Sequence, residues 1–167
     1  MERLSNFQEA ESKVLADVRA FLHTVRGLSD NAESLLDGAD RLRRIRGAVY
    51  ENLNQIQHEY LILQGLQWLQ DNGHGGAHLR WYWNPRETGD ATEPDLLAKD
   101  HDQIVLSAEA TTSERPAGVI DSRMRDTLAK LSRMSGHKFY FVRTDTMAQR
   151  AKTKVAKNSW DIAVVQC

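Results

Sequence analysis

Hydrophobic residues recur at helical spacing through most of the first 70 positions. One stripe, with three- and four-residue steps, comprises Leu4, Phe7, Val14, Val18, Phe21, Val25 and Leu28, and a heptad-like stripe comprises Leu35, Ala39, Leu42, Val49, Leu53, Ile56, Tyr60 and Leu63. We interpret this region as almost entirely helical, a hairpin whose long second arm begins at a capping box of Asp30 and Glu33. The stripe must be covered by the other arm, by a sheet or by a second copy of the chain, so a homodimer is one expectation.

From residue 78 onward the pattern becomes that of β-strands with intervening helices. Three antiparallel strands are predicted over residues 78–83, 94–99 and 103–112. A helix capped by Asp121 or Ser122, a strand over residues 137–144, a helix capped by Asp145 and a strand over residues 160–165 should follow. The crossover between the last two strands implies parallel pairing. The predicted fold is α/β with a mixed central sheet, divided into a helical region of residues 1–49 and a core of residues 50–167.

Two carboxylates are expected to meet on the antiparallel strands. Glu109 lies on the polar face of the third strand, because side chains alternate along it. A turn with an odd number of residues would pair Lys99 with Gln103, and would place Asp95 opposite Ser107 and diagonal to Glu109. Such a pair suits a hard divalent cation, since Mg²⁺ commonly takes one or two protein carboxylates together with phosphate and water.

At these residues the chain resembles a known family. Glu93-Pro94-Asp95, thirteen intervening residues and then Glu109-Ala110-Thr111 resemble the motif of the PD-(D/E)XK nucleases, which include the type II restriction endonucleases. The resemblance implies a restriction-endonuclease-like core that hydrolyses duplex DNA as a homodimer with Mg²⁺, or with Mn²⁺. It implies that Asp95 and Glu109 hold the metal, that Glu59 is a further ligand, and that Thr111 is a catalytic residue at the position where the family has lysine.

Charge is distributed unevenly along the chain. Residues 71–111 carry three basic and eight acidic groups, whereas residues 112–167 carry eleven and five. An acidic site beside a basic segment suits a metal between phosphate-contacting surfaces, although solvated faces of two helices would give the same pattern. The candidates for DNA contact in the basic segment are Ser113, Arg115, Arg123 and Lys130.

Other functions compete with this interpretation. Thr111 is neutral and cannot supply the positive charge of the family's lysine, so a catalytically inactive DNA-binding or assembly protein with the nuclease fold is the alternative. A helical partner-binding module is a third hypothesis. The sequence has no phosphate-binding glycine loop, nucleophile elbow or His-Glu-x-x-His pair. It also lacks a signal-peptide pattern and any apolar run of membrane-spanning length, so no membrane association and a cytoplasmic location are expected.

Overall fold

A mixed β-sheet with helices on both faces organises the chain. The computed structural model describes residues 1–27, 33–85 and 92–167, and within these ranges the fold is α/β with four helices and six strands. The helices are α1 (Phe7–Gly27), α2 (Leu35–Asp71), α3 (Val119–Ser132) and α4 (Asp145–Lys157). The strands are β1 (Glu2–Leu4), β2 (Leu79–Trp83), β3 (Leu96–Asp100), β4 (Gln103–Thr111), β5 (His137–Val142) and β6 (Ala163–Gln166). None of the described helices is long and apolar enough to cross a membrane.

The strands follow one another in chain order across the sheet. β1 to β4 pair antiparallel, whereas β4 with β5 and β5 with β6 pair parallel. The predicted antiparallel meander, the parallel pairing of the last two strands and the mixed α/β fold are therefore confirmed. The described part of the first 70 residues is mostly helical, as expected, in α1 and α2. Its start differs, because Glu2–Leu4 pairs with Trp81 to Trp83 and extends the sheet.

The sheet separates two hydrophobic cores. In β5, Phe139 and Phe141 belong to the core under α1 and α2, whereas Tyr140 and Val142 belong to the core under α3 and α4. Side chains alternate between the faces of a strand, so a strand that is covered on both sides must be apolar at consecutive positions. This explains the weak alternation of β5 in the sequence.

Helix α2 changes character along its length. Its second half is buried against the sheet and α1, and Ile56 packs there against the protomer's own core. Its first half is exposed, with Leu35 at 91% and Leu42 at 68% of their full accessibility. The expected boundary between residues 49 and 50 falls inside this helix, and Ala10 and Val14 of α1 belong to the same core as the sheet.

Three expected helix caps differ in the structure. Ser34 caps α2, with its hydroxyl oxygen accepting from the Asp37 N–H at 3.2 Å, while Asp30 lies outside the described residues. Thr144 rather than Asp145 caps α4. The residue at the start of α3 is Gly118, which has no side chain to cap the helix. Asp121 lies inside α3 and pairs with Arg150 at 2.7 Å and with Lys154 at 3.0 Å, and these contacts lower the pKa of Asp121. These pairs join α3 to α4.

Two glycines of α2 should respond in opposite ways to alanine. A Cβ at Gly65 would lie 2.6 Å from the Phe141 ring, whereas a Cβ at Gly47 would meet nothing within 4 Å. Gly65→Ala should therefore cost about 1–3 kcal/mol through overpacking. Gly47→Ala should stabilise by up to about 1 kcal/mol, because alanine is the better helix former. Urea unfolding of both variants measures this, and equal effects at the two positions would contradict the packing of α2 on β5.

Candidate active site

The β3–β4 hairpin brings Asp95 and Glu109 to the same level of the sheet. Asp100 pairs with Gln103, so the turn has two residues, and a register shift follows between Ala98 and Lys99. The expected pairing of Lys99 with Gln103 is therefore wrong, because the turn is shorter and the strand is irregular. Leu96 pairs with Ala108. Asp95, which directly precedes Leu96, consequently faces the position of Glu109 rather than that of Ser107.

Asp95 is fixed by one backbone group and one helix side chain. Its Oδ2 accepts a hydrogen bond from the Ala110 N–H at 2.7 Å and lies 3.2 Å from Nε2 of His58 on α2. Asp95 is 8% exposed. The backbone contact and the burial leave the carboxylate little freedom, so it is preorganised at the end of β4.

Glu109 is a buried carboxylate whose charge is only partly compensated. It is 5% exposed, and Nζ of Lys130 on α3 lies 2.6 Å from its Oε1. The ammonium group of Lys130 is therefore the charged partner of Oε1. Burial raises the pKa of Glu109 to about 8, the Asp95 charge adds to the increase, and Lys130 opposes it.

A hydrogen bond from Tyr140 orients the side chain of Thr111. The Tyr140 hydroxyl donates to Thr111 Oγ1 at 2.8 Å, and burial raises the pKa of this tyrosine to about 12. The tyrosine therefore stays a neutral donor at neutral pH. Because Thr111 Oγ1 accepts this bond, the hydroxyl of Thr111 can still donate its own proton to a group in the cleft that Thr111 lines.

A cleft of about 730 Å³ opens above the carboxylates. One wall is a face of α2, and the other is the segment after β4 with the first turns of α3. The predicted residues that line it are Asp95, Glu109, Thr111, Ser113 and Arg123. Arg115 is exposed but is not among the residues that line the cleft.

Lys130 contacts the Glu109 carboxylate directly, although the sequence suggested a DNA contact. Besides the ion pair with Glu109, its ammonium group donates to the Glu93 backbone oxygen at 3.2 Å. Its side chain retains 33% of its accessibility. The ammonium group therefore lies at the site as the cation closest to Glu109 in the described part of the chain.

Glu59 is not brought to this site. It is 1% exposed, and it binds Lys13 of α1 at 3.1 Å and the side-chain amide of Gln55 at 3.2 Å. It lines a separate cavity between α1 and α2. The expectation of a third ligand at Glu59 is corrected for a geometric reason: consecutive residues on a helix point about 100° apart, and His58 rather than Glu59 points at Asp95.

The donor set fits a hard cation with few protein ligands. Among the described residues, no group of three or more His, Cys, Asp or Glu side chains could hold a metal ion. A Mg²⁺ ion commonly needs only one or two carboxylates, since water and phosphate complete its coordination. Two buried carboxylates, of which Glu109 has the ammonium group of Lys130 as its charged partner, suit that minimal arrangement.

Two contributors to the site were missed by sequence reasoning. His58 and Tyr140 carry no local signal of their roles, because both act only through the contact of α2 and β5 with the ends of β3 and β4. A comparison of the chain with protein-family models, curated proteins and solved structures found no match.

The raised pKa of Glu109 predicts how stability depends on pH in chelator. Between the ordinary pKa near 4.5 and about 8, the folded protein holds a proton on Glu109 that the unfolded chain has lost. The free energy of unfolding should therefore decrease as pH rises from 4.5 to about 8, by on the order of a few kcal/mol. Glu109→Gln should remove the decline and be the more stable protein at pH 8. Unfolding curves measured at both pH values test this, and parallel pH profiles would contradict it.

Proposed function

We propose that the protein is a Mg²⁺-dependent endonuclease that hydrolyses phosphodiester bonds of duplex DNA on a restriction-endonuclease-like core. The observation that carries the proposal is the pair of buried carboxylates, Asp95 and Glu109, at the base of an open polar cleft. Burying two like charges together is costly unless a cation or a proton compensates them. A folded protein that keeps this arrangement beside solvent has a ready site for a divalent ion.

Each residue of the site has a definite part in this proposal. Asp95 and Glu109 would hold Mg²⁺, for which Mn²⁺ could substitute, and the ion supplies polarisation of the scissile phosphate and activation of bound water. His58 and the Ala110 N–H keep Asp95 in position. Thr111, which Tyr140 orients, offers a hydroxyl to the phosphate or to the attacking water.

Lys130 would provide the positive charge that Thr111 lacks. Its ammonium group lies at Glu109 although it belongs to α3 and not to β4. A cation at this place neutralises charge that develops on the phosphate, whichever element of the chain carries it. Arg123 has no ion-pair partner among the described residues and lines the cleft, so it is available for a phosphate oxygen.

Duplex DNA and a second copy of the chain are the proposed partners, and the cytoplasm is the proposed location. The exposed first half of α2, with Leu35 and Leu42, is the surface that a second copy would cover. Ile56, farther along the same stripe, packs against the protomer's own core. Arg115 is exposed and remains a candidate for contact with the DNA backbone outside the cleft.

The second candidate is a DNA-binding or assembly protein that keeps the fold without cleavage. The ion pair between Lys130 and Glu109 favours it, because a lysine can compensate one carboxylate without any metal. The two candidates differ in whether a divalent ion acts at the carboxylates.

Removal of either carboxylate tests the proposal. Plasmid DNA incubated with the purified protein should be cleaved in Mg²⁺ or Mn²⁺ and not in chelator. Asp95→Asn and Glu109→Gln should each reduce the rate by more than about 100-fold, since each removes a ligand, while DNA binding is largely retained. Asp102→Asn, at the exposed turn of the same hairpin, is the matched control and should cleave normally. Undiminished cleavage by Asp95→Asn would contradict the site assignment.

Substitution of Lys130 tests whether its positive charge contributes to cleavage. Lys130→Met should reduce cleavage by roughly 10- to 1000-fold, because the cation beside Glu109 is lost. Thr111→Lys should restore part of the rate in that background, since it returns a positive charge to the carboxylates from β4. Arg125→Met, on the exposed side of α3, controls for helix integrity. Full activity of Lys130→Met would show that its charge is not used.

A further inference from the structure

The two walls of the cleft differ in charge and in chemistry. From α2, the side chains of Tyr50, Glu51 and Asn54 line it, and from the opposite wall Ser113, Arg123 and Thr127 do so. Besides Gln55 and His58, the α2 wall therefore carries an aromatic ring, an amide and a carboxylate. The opposite wall carries a guanidinium group and hydroxyl groups. A nucleotide is itself asymmetric in this way, with an anionic phosphate at one end and a neutral base at the other.

Tyr50 and Asn54 are the side chains of the α2 wall that are available to bind a ligand. Tyr50 and Asn54 are one helical turn apart on the same face, so both can contact one flat group. Tyr50 is 67% exposed. Neither residue has a hydrogen bond or ion pair with another described residue, whereas most other polar side chains of the first half of α2, such as Asp37, Asp40 and Asn52, bond within the helix.

Charge determines which way a nucleotide would lie. Glu51 has no ion-pair partner among the described residues and would repel a phosphate from the α2 wall, and Arg123 would attract the phosphate to the α3 wall. The base must then face α2, where Tyr50 offers a ring for stacking and Asn54 offers an amide donor and acceptor for a base edge.

We propose that the cleft holds one unpaired nucleobase next to the scissile phosphate, with Tyr50 as its stacking platform and Asn54 at its edge. The inference rests on the proposed nuclease function and specifies its substrate: DNA in which one base has left the helical stack. A base inside a duplex has both faces covered by its neighbours, so it must be unpaired or extruded before a tyrosine can stack on it.

Binding to three matched DNA probes tests this subsite. The probes are a duplex with one central unpaired nucleotide, the same duplex with an abasic site at that position, and the fully paired duplex. In chelator, so that hydrolysis does not enter, the unpaired nucleotide should improve affinity about 5- to 150-fold over the abasic probe, as expected for stacking on one aromatic ring. The fully paired probe should bind like the abasic one. Fluorescence anisotropy gives the affinities.

Variants of two tyrosines on α2 distinguish base stacking in the cleft from the general effect of removing an exposed tyrosine from this helix. Tyr50→Ala should remove the preference and Tyr50→Phe should keep it, because the ring and not the hydroxyl carries the stacking. Tyr60→Ala is the matched control, since Tyr60 lies on the same helix at 56% exposure but lines a different groove. Equal affinity of the wild-type protein for all three probes, or an equal loss in Tyr50→Ala and Tyr60→Ala, would overturn the subsite.

The same probes in Mg²⁺ distinguish this inference from the proposed function. Cleavage of the probes without any preference for the unpaired base would overturn the subsite and leave the nuclease proposal intact. A Tyr50-dependent preference without cleavage in Mg²⁺ or Mn²⁺ would support the base subsite and overturn the nuclease proposal. Failure to bind any of the three probes would overturn both.

Discussion

Two carboxylates buried side by side impose the constraint on which the site depends. Asp95 and Glu109 are 8% and 5% exposed, and burial, together with the smaller effect of the Asp95 charge, raises the pKa of Glu109. Lys130 and the Ala110 N–H compensate part of this charge. The uncompensated negative charge favours binding of a proton or a cation, since either removes the repulsion between the two carboxylates. A fold selected for stability alone would gain from two apolar residues at these positions.

Helix α2 links this constraint to the rest of the molecule. The second half of α2 packs in the core against β4 and β5, and its His58 contacts Asp95 at the site. The first half of α2 extends into solvent. One rigid element therefore sets the position of Asp95 and also supplies a wall of the cleft. Gly65 packs closely on Phe141, and this contact fixes the distance between α2 and the sheet. A substitution that changes this distance would also shift the carboxylates.

Local patterns in the sequence predicted much of the fold and the identity of the carboxylates. Alternation along β4 was enough to place Glu109 on the polar face, because strand geometry is a local property. The register was not predictable, since a two-residue turn and a register shift at Ala98 change it without a clear local signal. The contacts of Lys130 and Glu59 depend on how separate helices pack, and β1 is too short for its pattern to be distinguished from a helix start.

The central claim is that Asp95 and Glu109 share one divalent cation. Crystals of the wild-type protein grown with Mn²⁺, measured at a wavelength where manganese scatters anomalously, test it most directly. The account predicts one strong anomalous peak between the two carboxylates, with the Lys130 ammonium displaced from Glu109 Oε1, and no peak there in Asp95→Asn crystals. A wild-type map without a peak at this place, while Lys130 remains on Glu109, would contradict it.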